Sequence, residues 1–248
     1  LIRSLFIPEE GCKWGCFDYS QQEPRLVVHY ASLQNLPGVY DVLESYKEGE
    51  ADFHKIVADM AEIPRTQAKT INLGLFYGMG KAKLQAELGV SKGKAAELFS
   101  TYHSKVPFVK QLMETVSRRA QNRGQIRTLL GRLCRFHLWE PAVFGIHKPL
   151  THEAALQEHG PGIRRAFTYK ALNKLIQGSA ADMTKRAMLD LYKEGIVPHI
   201  QVHDELDISV ESPEQAKKII EIMENAVKLN IPNKVDYEEG NNWGEING

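Results

Sequence analysis

Residues 199–210 read His-Ile-Gln-Val-His-Asp-Glu-Leu-Asp-Ile-Ser-Val. Ile200, Val202, Leu206, Ile208 and Val210 alternate with their neighbours, and a two-residue period puts them on one face of a strand. Asp204 falls on that same apolar face, where an unpaired carboxylate is costly. Two readings remove the conflict. Either His203-Asp204-Glu205 forms the tip of a hairpin between two short strands, or a cation neutralises Asp204. Both can hold together, because a carboxylate pair at a strand tip is a natural seat for a divalent metal. A plain acidic turn is the competing reading of this stretch taken alone.

A second carboxylate in a similar place comes early in the chain. Residues 3–7 and 12–19 read as strands joined by the Pro8-Glu9-Glu10-Gly11 turn, with Asp18 at the end of the second. Ser20 and Glu23 have the spacing of a capping box and open a helix carrying Leu26, Val27 and Tyr30. A lone strand-end Asp is usually a cap or turn residue. Sheet pairing that brought Asp18 beside Asp204 would instead make the two a metal seat.

The 248 residues suffice for one large domain or two subdomains. Hydrophobic and charged shares of 43% and 25% are those of an ordinary globular protein, and no apolar run is long enough to span a bilayer. No membrane association is therefore expected. Cys12, Cys16 and Cys134 have no paired spacing and read as reduced thiols of a cytoplasmic protein rather than a zinc site. Lys and Arg total 31, as do Asp and Glu, so net charge says nothing about nucleic acid. Its distribution says more: Arg118, Arg119, Arg123, Arg127, Arg132 and Arg135 crowd one segment, and acids gather near Asp236.

After a Pro/Gly break at 35–39 the pattern turns helical. Short helices are expected over 39–47 and 52–61, and a more informative one over 64–78, with Pro64 in the first turn. Ala68, Ile71, Leu75 and Met79 form its apolar stripe. Arg65, Lys69, Leu73 and Tyr77 repeat every fourth position on a different face. Two cations followed by an aliphatic and an aromatic residue suit a surface that grips phosphates at one end and a base at the other; a helix buried on two sides is the alternative.

Further helices are expected over 81–88 and 91–105, and another from Pro107 to Gly124. Two strands around Leu130-Gly131 should follow, their arginines suited to a phosphate backbone. Residues 137–162 read as irregular, and the histidines there lack metal spacing. A long helix is expected over 164–194. It carries Tyr169, Asn173 and Gln177 at fourth-residue intervals, an amide ridge suited to minor-groove acceptors. Ser212-Pro213-Glu214-Gln215 starts a helix reaching about Leu229, and 235–237 returns as an edge strand.

Three stretches together resemble the family A DNA polymerases, the bacterial polymerase I-like group that includes many phage enzymes. Asp18-Tyr19-Ser20-Gln21-Gln22-Glu23-Pro24-Arg25 resembles motif A. Arg65, Lys69, Leu73 and Tyr77-Gly78 resemble motif B, and His203-Asp204-Glu205 resembles motif C. The resemblance implies an α+β fold: a polymerase palm, in which a small antiparallel sheet is backed by helices, with an inserted and mainly helical fingers subdomain. Palm residues would be 1–37 and 166–248, and fingers residues 38–165. It implies DNA-directed DNA synthesis with Mg²⁺ as cofactor (two ions, Mn²⁺ substituting), primer–template DNA and dNTPs as partners, and a cytoplasmic location.

By the same resemblance Asp18 and Asp204, assisted by the Tyr19 carbonyl, would hold the two ions roughly 3.5–4 Å apart. Arg65, Lys69 and His54 would bind the triphosphate, with Lys69 also placed to protonate the leaving group. Glu23 would exclude a ribose 2′-hydroxyl, Tyr77 would stack near the template base, and Glu205 would support the metal site. Asn173, Gln177 and His203 would contact the primer–template; Arg132 and Arg135 are candidates for its backbone on the arginine pattern alone. Leu73 stands where most of the family has Phe or Tyr, which implies weaker stacking on the incoming base and altered discrimination against chain terminators. Tyr169 stands where a basic residue is common. Thumb and exonuclease are absent from these residues, so an N-terminal portion is expected to act with them. Two alternatives stay open: a single-subunit RNA polymerase-like enzyme, against which Glu23 argues, and a non-catalytic DNA-binding fragment.

Overall fold

Lys13–Tyr19 (β1) is the inner strand around which one half of the molecule is built, and its alternate residues have different tasks. The structure, a computed structural model, describes residues 2–48, 52–61, 63–76, 79–143 and 145–246, with the side chains of Val57, Met60, Ala61, Leu73 and Leu75 outside that description. After β1 come α1 (Gln22–Ser32), α2 (Val39–Lys47), α3 (Phe53–Ala61), α4 (Arg65–Phe76), α5 (Lys81–Leu88), α6 (Lys92–Lys105) and α7 (Pro107–Arg123). Then follow β2 (Gln125–Arg127), β3 (Leu133–Arg135), β4 (Trp139–Pro141), α8 (His152–His159), β5 (Ile163–Arg165) and α9 (Ala171–Lys193). The chain closes with β6 (Ile200–Val202), β7 (Glu205–Val210), α10 (Pro213–Asn225) and β8 (Val235–Gly240). The whole is an α+β fold in two compact units: Leu1–His29 with Ser179–Gly248, and Tyr30–Gly178.

In the first unit the sheet runs β6-β7-β1-β8, every neighbour antiparallel. Gly15, Phe17 and Tyr19 share a face with Leu206, Ile208, Val210, Val235 and Tyr237. That face is the core. Phe17 and Leu206 are fully buried, Phe17 stacks on Tyr237 with ring centroids 4.7 Å apart, and the Tyr19 hydroxyl donates to the Met223 carbonyl of α10 at 2.6 Å. Burying each such aliphatic or aromatic side chain contributes about 1.5–3 kcal/mol. The opposite face carries Trp14, Cys16, Asp18, Glu205, Asp207, Asp236 and Glu238. Its far end is closed by Trp14, which packs with Cys16 and Ile246 against Ile200 and Trp243.

The hairpin between β6 and β7 settles the conflict read in the sequence. Val202 pairs with Glu205, so His203-Asp204 is a two-residue turn, with His203 at φ +56°. Reversing direction there puts Ile200 and Val202 on the acidic face and Leu206, Ile208 and Val210 on the apolar one. The single apolar face expected from the alternation is thus wrong, because a period counted through a tight turn loses its phase.

Five other expectations are corrected. Residues 3–7 are not a strand: Arg3–Leu5 is a 3₁₀ turn, and Phe6 is held by Trp243, which donates its backbone N–H to the Phe6 carbonyl at 3.0 Å. α1 starts at Gln22, after Gln21 at φ +53°, so Ser20 lies outside the cap position; its carbonyl accepts from Arg25 Nε at 2.8 Å. Residues 137–162 contain β4 and α8, the latter capped by Thr151. The long helix expected from 164 begins only at Ala171, because Ile163–Arg165 pairs with β4 and Phe167 adopts φ +61°. α10 stops at Asn225 rather than Leu229, and beyond its end Asn233 Nδ2 donates to the Glu224 and Val227 carbonyls at 2.9 and 2.8 Å.

The second unit is mainly helical. Phe53, Ala68, Ile71, Phe76, Leu84, Tyr102, Phe108 and Leu112 are buried in its core, and Phe53 lies 5.6 Å from Phe76 and 6.3 Å from Phe108. Ser91 caps α6 by accepting from Lys94 N–H, and Gly124 ends α7 at φ +66°. β2 and β3 pair as the sequence predicts, and their loop lies tight against Gly178 of α9. A Cβ there would stand 2.7 Å from the buried Thr128 methyl, while Arg132 donates to the Gly178 carbonyl at 2.7 Å. Gly178→Ala is therefore expected to lower stability by about 1–2 kcal/mol, the clash outweighing the gain in helix propensity. Thermal unfolding checks this, and adding Thr128→Ser should restore the loss; an Ala variant as stable as wild type would contradict the packing.

Candidate active site

Three acids meet where β1 and the β6–β7 turn run side by side. Asp18 is the direct cross-strand partner of Glu205, and the next residue, Tyr19, donates its N–H to the Asp204 carbonyl at 3.4 Å. Asp236, on β8, is the partner of Asp18 from the other side. Partial burial pushes the Asp18 carboxyl up to about 7, helped by the charges of Asp204, Glu205 and Asp236. Burial also raises Asp204, with Glu205 adding to the shift and His203 opposing it. Glu205 Oε1 is buried with no hydrogen-bond partner. Like charges crowded in a half-dry place favour either a shared proton or a cation, so the donor set suits a hard divalent metal such as Mg²⁺.

This crowding has a signed consequence for stability. A carboxyl whose folded pKa lies above its unfolded value of 3.8 favours folding below that value, and the advantage fades as pH climbs through about 7. Buried His29 and His54 and half-buried His103, all lowered first by desolvation, act oppositely. The clean measurement is therefore a difference between variants. Without divalent ions, Asp18→Asn is expected to gain about 1–2 kcal/mol on wild type between pH 5 and pH 8, less than the full shift because Asp18 is half-exposed. Urea unfolding at the two pH values reads it; a difference independent of pH would remove Asp18 from the acidic cluster.

In the second unit, three of the triphosphate candidates come together. Arg65 and Lys69 lie exposed one turn apart on α4, which also carries buried Ala68 and Ile71. Both cations act on His54 of α3, whose pKa is lowered first by burial and then by these charges, with Asp52 opposing. His54 is 6% exposed and held by Asn72 of α4, Nδ1 to Nδ2 at 3.0 Å. Arg65 Nε pairs with Asp52, which keeps that carboxyl below its usual range. The Leu73 side chain and Tyr77 lie outside the described residues, and with them the aliphatic and aromatic part of the expected face.

The remaining candidates are placed as follows. Glu23 is half-buried in the first turn of α1. Asn173, half-buried, and Gln177, exposed, lie one turn apart on α9. Tyr169 sits in a 3₁₀ turn before α9, so it is not part of the amide ridge. Arg132 reaches the α9 backbone at Gly178, Arg135 is exposed on β3, and His203 is exposed on the hairpin turn. Sequence reasoning noted Asp236 only as part of an acidic run, and missed Asp207, Asn72 and Asp52. The places of Asp236 and Asp207 become visible only through strand register. Asn72, fully buried between the apolar positions of α4, could have been noticed as a polar residue on the wrong face.

The comparisons with known proteins give the family. The model of the family described as DNA polymerase family A matches residues 1–245, and the chain belongs to that family. It is 36% identical to a DNA-directed DNA polymerase of Pseudomonas phage M6, covering 99% of this chain and 40% of the phage protein. It is 33% identical to DNA polymerase I of Bacillus caldotenax, over 98% of this chain and 27% of that protein. Among solved structures it resembles the polymerase domain of Pol1 from M. smegmatis in complex with DNA primer-template and dNTP, with a TM-score of 0.76 and 27% identity over 98% of this chain and 42% of that one. The chain thus spans well under half the length of these relatives. Among the described residues no helix is long and apolar enough to cross a membrane.

Proposed function

We propose that the chain carries the nucleotidyl-transfer centre of a DNA polymerase, extending a primer 3′-hydroxyl by dNMP as a template directs. The observation that carries this reading is the convergence of Asp18 and Asp204 at one end of a sheet face already crowded with acids. In this reading residues 1–37 and 166–248 act as the palm and residues 38–165 as the fingers. Asp18, Asp204 and the Tyr19 carbonyl would hold two Mg²⁺ ions, which when bound lower the pKa of the attacking hydroxyl and offset charge on the phosphates. Glu205 orients and charges that cluster without being an obligatory ligand. Arg65, Lys69 and His54 bind the triphosphate, and the Lys69 ammonium gives a proton to the departing pyrophosphate oxygen. Asn173, Gln177 and His203 contact the primer–template, with Arg132 and Arg135 on its backbone; the partners are accordingly primer–template DNA and dNTPs.

Glu23 would act as the sugar gate. Its carboxylate, on the first turn of α1, fills the place of a 2′-hydroxyl and rejects ribonucleotides by sterics and lost hydrogen bonding. Primer extension by the full-length protein with dNTPs and with rNTPs tests both parts of the reading. Wild type is expected to use dNTPs, and Glu23→Ala to raise relative rNTP use roughly 10–100-fold. Unaltered sugar selectivity would dismiss the gate, a wild-type preference for rNTPs would favour an RNA polymerase, and binding without extension would leave only a DNA-binding role.

A further inference from the structure

The acidic face of the sheet holds a second cluster, one step further along the strands from Asp18. Cys16 and Asp207 are direct cross-strand partners, and Glu205 lies two residues before Asp207, so all three project from the same face. The Cys16 sulfur and one carboxylate oxygen from each acid lie within 4.8 Å of one another. The cluster is dry: Asp207 is 0% and Cys16 6% exposed. Asp207 Oδ1 accepts from the Trp14 indole N–H at 3.0 Å, but its Oδ2 is buried with no hydrogen-bond partner, as is Glu205 Oε1. Arg3, the cation that acts on Asp207, is stacked over the Trp243 ring at 4.6 Å. Glu205 interacts with both the Cys16 thiol and Asp207, and carboxyls buried this close together need a shared proton or a cation between them.

We propose that Cys16, Glu205 and Asp207 form a binding site for a borderline-soft divalent cation of the zinc class, separate from the Asp18–Asp204 pair. One thiolate and two carboxylates make a donor set that favours Zn²⁺ or Cd²⁺ over Mg²⁺. Tetrahedral binding at usual bond lengths needs donor atoms about 3.5 Å apart, and the Glu205 side chain has the rotatable bonds to close the remaining distance. On binding, the Cys16 thiol proton goes to solvent as the metal–sulfur bond forms, and no electron changes hands. Because Glu205 also faces Asp18, the site shares a residue with the candidate catalytic cluster. Spacing rules for cysteine pairs cannot find such a site, since its ligands come from two strands brought into register.

Cd²⁺ titration of the ion-free chain in saturating Mg²⁺, followed by the thiolate-to-metal charge-transfer absorption, tests this independently of polymerase activity. A band saturating at one equivalent is expected. It should vanish in Cys16→Ser, weaken by about tenfold or more in Asp207→Asn, and persist in Asp204→Ala. Circular dichroism checks that each variant folds. Should Cys16→Ser not fold, the Cys12→Ala/Cys134→Ala double variant decides: a retained band assigns the sulfur to Cys16, and a lost band overturns the site. No band in wild type, or a band that survives in folded Cys16→Ser, overturns it as well.

Discussion

Asp204→Ala in the full-length protein is expected to lower primer extension by about a thousandfold or more, with little change in stability. A bound cation stabilises transition-state charge by several kcal/mol, and each 1.36 kcal/mol is tenfold in rate. Removing one of the two carboxylates proposed to hold the ions forfeits most of that stabilisation. The fold should not suffer, because Asp204 stands on a turn and its charge opposes that of Asp18. The melting temperature without divalent ions should stay level or rise. Primer–template binding, measured in the same preparation, should persist, which separates lost chemistry from lost affinity. Extension that survives the substitution would defeat the proposed role of the acidic cluster.

Gly15→Ala is expected to be among the most damaging small substitutions in the first unit. A Cβ at this position would stand 2.5 Å from Val210 Cγ2, 3.0 Å from Phe17 Cε2 and 3.1 Å from Tyr237 Cε2. None of these can retreat easily. Val210 is branched next to the backbone, and both rings belong to the stacked pair that fills the apolar face. A loss of about 2–3 kcal/mol is expected, readable as a lower urea midpoint with unchanged slope. Val210→Ala in the same chain should recover part of it, since the worst contact is then gone; the double-mutant cycle isolates that term. A midpoint equal to that of wild type would mean that β1 and β7 pair in another register.

How much of this was legible in the sequence depends on how local each signal is. The helices of the second unit were readable because their caps and stops are neighbours in the chain: Ser91 for α6, Pro107 and Gly124 for α7. Ser212 with Gln215 marked α10 in the same way, and Gln215 Oε1 accepts from the Glu211 N–H at 2.7 Å. Asp18 and Asp204 could be singled out one at a time, each as a carboxylate at a strand end. That they meet, and that Asp236 and Asp207 share their face, follows from pairing between residues far apart in sequence, which no local pattern records. The alternation through 199–210 misled for the opposite reason: two residues of turn reversed the strand and exchanged the faces. Residues 137–162 hid α8 because proline and glycine around it drown a helix of only eight residues.

Segregating charge and grease by the parity of a strand leaves this sheet no tolerance for sliding. A one-residue insertion inside Lys13–Tyr19 or Glu205–Val210 would turn carboxylates toward α10 and place Phe17 or Leu206 on the acidic face. Descendants of this sequence can change their chemistry by replacing side chains in place, and can lengthen their loops, but they cannot shift these two strands past one another. Gaps in an alignment of true relatives should accordingly avoid both segments.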